Sequence, residues 1–262
     1  MNRPLVDGSR LALGTLTVLP TRPPGTVDRD TGSWAMTLAP LVGVLLSVAA
    51  VLLQWLVLPA APLLVAALTV GLLAVLTRAI HLDGLADTAD GLGSGKPAGQ
   101  ALDIMRRSDV GPFGVVTLVL VLLVQVFALA QQVADGRGAS AVALALVVSR
   151  LVLPVVCAQG IRAARPDGLG QVVAGSVRPG QLVLAAAVSC LAVLIIVVLE
   201  ARSSQGPFEP VLAGVLVMVV PLLAGAGMCW WCVRRLGGVT GDVLGACVEV
   251  TFTVALVVLT LV

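Results

Sequence analysis

The sequence predicts an all-α protein, a polytopic bundle of about seven transmembrane helices with a cytoplasmic N-terminus. Three observations carry that prediction. Of the 262 residues 58% are hydrophobic and only 11% charged, and the mean hydropathy is +1.07. A soluble domain carries about 25% charged residues, so this chain has too little polar surface to cover a core of its size. Apolar runs near the roughly 20 residues a spanning helix needs recur at 35–58, 62–80, 111–133, 139–160, 181–200, 211–232 and 243–262. Finally, the basic residues are distributed very unevenly between the segments that join these runs.

Proline and glycine mark the joints: Pro59 and Pro62, Gly111-Pro112, Gly136 and Gly138, Pro179-Gly180, Pro207 and Pro210, Gly237-Gly238. No internal repeat or low-complexity segment divides the chain, so residues 1–262 read as a single integral membrane domain. The run Leu11 to Leu19 follows Arg3 and Arg10 and stops at Pro20. It is too short to span and has no small-x-small cleavage site, which favours an interfacial or re-entrant segment over a signal peptide.

With the N-terminus inside, twelve of the sixteen Lys and Arg residues fall in inner segments, and only Arg137 and Arg202 in outer loops. Arg78 and Arg150 fall within predicted spans. The positive-inside rule therefore sets the orientation. Trp34, Trp55, Trp230 and Trp231 sit near span ends, where indoles prefer the interface. The net charge of +2 is too small to point to nucleic acid. The five cysteines form no disulfide framework, and the lone Cys229-x-x-Cys232 lacks the second ligand pair of a zinc site.

Ten of the fourteen acids also lie on the inner side, a bias the positive-inside rule does not require. Function is the natural second cause. The inner stretch His81-Leu-Asp83-Gly-Leu-Ala-Asp87-Thr-Ala-Asp90-Gly91 spaces its acids i, i+4, i+7. At about 100° per residue these occupy one narrow helical face, with Leu82, Leu85, Ala89 and Leu92 opposite. Three carboxylates on one face repel each other. A divalent cation relieves that directly, and Mg²⁺ combines a few carboxylates with waters and substrate phosphates. The pattern points to diphosphate chemistry at the membrane face. The plainer reading is a solvated helix face, disfavoured by the lack of Lys or Arg four residues away. Gly84 weakens the helix and leaves room for a close approach.

Gly91-Leu-Gly-Ser-Gly-Lys96 lacks the spacing of a phosphate-binding P-loop; it reads as a loop in which Lys96 can contact phosphate. Arg106 and Ser108, in Met105-Arg-Arg-Ser-Asp109, stand just before a span, where basic residues either set topology or hold an anionic substrate; the inner loops of Arg165, in Ala164-Arg-Pro-Asp-Gly168, and of Asp242 read on their own as plain connections. Arg150 and Glu249 are charges within spans, which normally pair or line a polar cavity, and both are candidate substrate-binding residues. His81, the only histidine, is a candidate substrate contact whose direction, away from Asp83, favours a structural role.

Together these segments resemble the cobalamin synthase family, the adenosylcobinamide-GDP ribazoletransferases. The resemblance rests on His81-Leu-Asp-Gly-Leu-Ala-Asp-Thr-Ala-Asp-Gly91. It is supported in order by Pro40-Leu-Val-Gly43, Ile104-Met105, Gly111-Pro-Phe-Gly114, Ala164-Arg-Pro-Asp-Gly-Leu-Gly170, Leu236-Gly-Gly-Val-Thr-Gly-Asp242 and Leu244-Gly-Ala246. In two places the chain departs: the family's Lys-Asp/Glu-Ser-Arg run is Arg106-Arg107-Ser108-Asp109 here, and its Leu-Thr-x-x-Pro element is Leu16 to Pro20.

The resemblance implies Mg²⁺-dependent transfer from adenosylcobinamide-GDP to α-ribazole or its 5′-phosphate. The products are adenosylcobalamin or its 5′-phosphate, and GMP. Asp83 and Asp87 are then expected to hold the metal, Asp90 to be a third ligand or the base, Asp87 to share catalysis, Arg106, Arg165 or Lys96 to bind substrate by neutralising the leaving GMP, and Asp242 to complete a second metal site. The expected setting is the bacterial cytoplasmic membrane, with the site facing the cytoplasm; the lipid bilayer is the surrounding partner, and a homo-oligomer is compatible with it.

Two other readings compete. A CDP-alcohol phosphotransferase would open Asp-x-x-Asp-Gly-x-x-Ala-Arg; Asp87-Thr-Ala-Asp90-Gly91 matches, but Ser94-Gly95 stands where Ala-Arg should. A multi-pass transporter would show inverted repeats around a midplane site.

Overall fold

A computed structural model describes residues 3–58, 60–107, 109–201 and 209–262. The described residues form twelve helices and no strand. Six helices are long and apolar enough to cross a membrane: α3 (Ala39–Val57), α7 (Pro112–Ala134), α8 (Gly138–Val156), α10 (Pro179–Ala201), α11 (Glu209–Leu236) and α12 (Gly241–Leu259). A seventh crossing comes from α4 (Pro62–Leu76) if it is counted with α5 (Ile80–Gly93), from which it is bent by 88°. The remaining helices, α1 (Arg3–Leu16), α2 (Arg29–Thr37), α6 (Ala98–Ile104) and α9 (Gly168–Val173), are short.

The bundle is built around α8, whose span is 83% buried, with α12 next at 67%. Gly43 lets α3 close on α8: a Cβ there would stand 2.6 Å from the Leu146 carbonyl oxygen. The outer helices turn Leu and Val outward, for instance Leu52, Leu56, Val183 and Leu223. Water would not tolerate so much contiguous apolar surface; lipid accepts it.

Helix boundaries differ from the hydropathy reading where local chemistry intervenes. The first apolar run divides at Leu38, because Pro40 has no N–H to continue a helix and suits the start of a new one. The second ends at Leu76 and not at residue 80, since Arg78 and Ala79 both adopt left-handed backbone, with φ of 55° and 53°. Arg78 is therefore not within a span; it is exposed in the elbow between α4 and α5. The α11 helix runs on to Leu236, so Arg234 and Arg235 occupy its last turn, where cations suit the helix dipole. Arg234 lies 4.6 Å over the ring of exposed Trp230. The N-terminal run forms α1, which begins at Arg3 and packs on α2, Gly8 lying against Trp34.

Chain direction alternates, and contacts among the described residues define two ends of the bundle. At one end Arg137 donates to the Val262 carbonyl and Gln132 to that of Leu259. The other end gathers α1, α2, α5, α6, α9 and the connections 94–107, 109–111, 157–178 and 237–240. Its joints include Arg29 to the Ala174 carbonyl, Arg178 to Asp30, and short bridges of Ala158 with Val177 and Ala163 with Val239. This polar end carries the candidate site.

Candidate active site at the polar end

The α5 helix forms as its period predicts, but its neighbours give the three acids different surroundings. Asp83 is exposed, Asp87 half-buried and Asp90 buried. Glycine brings α5 against α12 backbone to backbone: a Cβ on Gly84 would stand 2.7 Å from the Asp242 carbonyl oxygen, and one on Gly245 would stand 3.1 Å from His81 Cα. Gly84 thus makes room for a helix. This contact brings Asp242, in the first turn of α12, into the electrostatic neighbourhood of Asp83 and Asp87.

Asp90 faces the start of α7. The N-cap of that helix is Gly111, which has no side chain to offer the first amides. Asp90 supplies one from α5: Gly111 N–H donates to Oδ2 at 2.7 Å and Gly114 N–H to Oδ1 at 2.9 Å. The Gly111-Pro-Phe-Gly114 motif reads as the space this needs, since a Cβ on either glycine would come within 2.5 Å of an Asp90 oxygen.

Asp242 is oriented by Thr240, whose hydroxyl donates to Oδ2 at 3.1 Å and accepts from Val243 N–H at 3.2 Å as the α12 cap. Arg165 reaches in from the 157–178 connection, with Nη1 3.5 Å from Asp242 Oδ2 and Nη2 donating to the Leu102 carbonyl at 2.6 Å. Arg106 donates to both oxygens of Asp167 at 2.9 and 2.8 Å, tying two surface connections together. Lys96 is exposed, and Ser108 lies outside the described residues. Burial, then the charges of Asp83, Asp242 and Asp90, push the Asp87 carboxyl up to about 7, with Arg165 opposing. The cluster is short of positive charge.

The donors fit Mg²⁺ in one respect. No three His, Cys, Asp or Glu side chains among the described residues converge into a ready-made cage. Mg²⁺ seldom uses one; it takes one or two carboxylates and completes its shell with water and substrate phosphate. Here Asp83, Asp87 and Asp242 offer the carboxylates, and both oxygens of Asp90 are already engaged by amides.

Three candidates stand apart. His81 is buried against α12 with neither ring nitrogen hydrogen-bonded. Arg150 and Glu249 make no direct ion pair with each other. They line a common cavity of ≈ 20 Å³, room for about one water and not for a substrate. Arg150 Nη1 donates to Ser149 Oγ at 2.9 Å, and Gln125 donates to Glu249 Oε2 at 2.8 Å. Thr240 and Gly114 were not singled out from the sequence as site residues, although a Thr just before an apolar helix is a capping signal.

Fold and site together define a polytopic helical membrane protein with one polar end, where α5 and α12 oppose their carboxylates. Residues 8–260 match the cobalamin-5-phosphate synthase family, CobS, and the chain belongs to that family. Relatives named adenosylcobinamide-GDP ribazoletransferase include one from Nocardioides sp., 40% identical over 95% of this chain and 96% of its own. One from Frankia casuarinae is 38% identical over 96% and 93%. One from Pseudomonas aeruginosa is 37% identical over 96% of each chain. No solved structure matches the chain. The lipid-synthase and transporter readings gain nothing from these relatives.

Proposed function

We propose that the protein transfers the phosphocobinamide group of adenosylcobinamide-GDP to α-ribazole or its 5′-phosphate and releases GMP. The carrying observation is the carboxylate cluster of Asp83, Asp87 and Asp242, gathered from two helices with Arg165 as its near cation. In this reading Asp83 and Asp87 hold Mg²⁺ with Asp242 beside them. Bound there, the metal neutralises charge developing on the phosphoryl oxygens. The ribazole hydroxyl oxygen bonds to the cobinamide-linked phosphorus, the phosphorus–oxygen bond to GMP breaks, and the hydroxyl proton passes to a cluster carboxylate. Lys96 and Arg165 supply positive charge for the leaving GMP. Asp90 positions α5 on α7, and Arg106 holds the rim through Asp167. His81, Arg150 and Glu249 support the helices beneath.

The polar end faces the cytoplasm of a bacterial cell, because it carries nearly all the Lys and Arg. The direct test is purified protein incubated with adenosylcobinamide-GDP, α-ribazole and Mg²⁺, with and without EDTA. GMP and cobalamin appear only with the metal. Folded protein that makes neither with either ribazole form defeats the reading.

A further inference from the structure

Where α4 turns into α5, a concavity of ≈ 550 Å³ opens beside the carboxylate cluster. That is within the usual range for small-molecule sites, about 300–1,000 Å³. Its floor is apolar: Ile80 and Leu82 from α5, Leu118 and Leu122 from α7. Leu118 and Leu122 lie about 9 and 15 Å along α7 from its first residue at 1.5 Å per residue, so the floor reaches from the polar end into the apolar part of the span. Asp83 and Arg78 complete the lining. Asp83 also acts on Asp87, so the concavity borders the carboxylate cluster.

Arg78 is held there at a cost. It and Ala79 are the only non-glycine residues with positive φ among those described, a conformation that side chains other than glycine adopt only under strain. Its Nη2 donates to the Gly14 carbonyl at 2.5 Å. That bond ties the Arg78 side chain, at the edge of the concavity, to α1 and leaves Nη1 and Nε for another partner.

We propose that this concavity is the acceptor subsite, and that Arg78 recognises a 5′-phosphate on the ribazole. The inference rests on the transferase reading above. The ligand class is an aromatic riboside monophosphate. Its flat base lies on the leucine floor, its attacking hydroxyl points to Asp83 and Asp87, and its phosphate meets Arg78. Guanidinium forks suit phosphate oxygens, and charge-assisted hydrogen bonds are the stronger kind.

The experiment compares KM for α-ribazole 5′-phosphate and for α-ribazole in wild type, Arg78→Gln, Arg78→Lys and Leu118→Trp, in phospholipid-free detergent and in phosphatidylglycerol vesicles. Arg78→Gln raises KM for the phosphorylated acceptor about tenfold or more and leaves the other within about twofold. Arg78→Lys, which keeps the charge, recovers part of the discrimination. Leu118→Trp fills the floor and raises KM for both acceptors without changing that for adenosylcobinamide-GDP. An unchanged ratio of the two KM values in Arg78→Gln overturns the proposal. So does a loss of activity equal for both acceptors, which marks Arg78 as holding only α1. A loss cured by phosphatidylglycerol also overturns it, because the cation would then serve a lipid headgroup. Absence of product from wild type with both acceptors is a different failure, that of the transferase reading itself.

Discussion

Gly114 and Asp90 lie so close that each limits the other: the Gly114 amide donates to Asp90 Oδ1 at 2.9 Å, and a Cβ on Gly114 would fall 2.5 Å from Oδ2. The start of a membrane-spanning helix is thereby fastened to the helix that carries the acids. Gly114→Ala displaces the carboxylate, and Asp90→Asn puts an amide N–H₂ against a backbone N–H. Each is expected to lower the melting temperature in detergent, by about 1–3 kcal/mol of stability. Transferase activity falls with it, and in Asp90→Asn extra Mg²⁺ does not restore it. Restoration by Mg²⁺ would make Asp90 a metal ligand.

Asp83→Asn and Asp87→Asn each remove negative charge from the cluster without changing its volume. Under the proposed function each lowers kcat on the order of 10²-fold at saturating Mg²⁺ and shifts half-maximal activity to higher Mg²⁺. Titrating activity against Mg²⁺ for each variant checks this; full activity of both at limiting metal defeats the assignment.

Arg165 joins the Leu102 carbonyl to Asp242. Arg165→Lys keeps the charge but cannot serve both partners. It should retain more kcat than Arg165→Met while losing similar stability, and a kinetic and thermal comparison of the two separates charge from tethering.

Asp87 predicts a pH dependence of metal stabilisation. Its carboxyl stands at about 7 in the folded protein against an ordinary 3.8. Between those values the unfolded chain has released a proton that the folded chain keeps, so stability falls as pH rises and levels off above about 7. Mg²⁺ competes with that proton. The rise in melting temperature caused by Mg²⁺ is therefore larger at about pH 8 than at about pH 5.5, and much of the difference disappears in Asp87→Asn. A pH-independent rise would show that the metal binds elsewhere.

The polar cavity between Arg150 and Glu249 holds two charges whose balance can be measured. Glu249→Gln leaves the buried guanidinium without its nearby anion and should cost about 3–5 kcal/mol. Adding Arg150→Met returns part of that loss. Additive losses in a thermal double-mutant cycle would mean that the two charges are independent.

The apolar spans were legible because lipid imposes a length and a composition on any segment crossing it. Their ends were not where backbone chemistry overrides hydropathy, as at Pro40 and the left-handed Arg78–Ala79 pair. Helical period placed Asp83, Asp87 and Asp90 on one α5 face. It could not show that Asp90 serves α7, because periodicity treats each helix alone. Arg106 looked free for substrate, yet its partner Asp167 is 61 residues away. The neighbourhood of Asp242 and Asp87 depends on Gly84 and Gly245, whose meaning emerges only when two helices cross.

Because α5 meets α12 through main chain at Gly84 and Gly245, the gap between the two sets of acids is a skeletal dimension, not a rotameric one. Side-chain jitter and lipid exchange can ruffle the outer helices and leave that spacing untouched. The ordering of the reacting centre is thus settled when the bundle assembles, and an arriving nucleotide meets a template already at its working width.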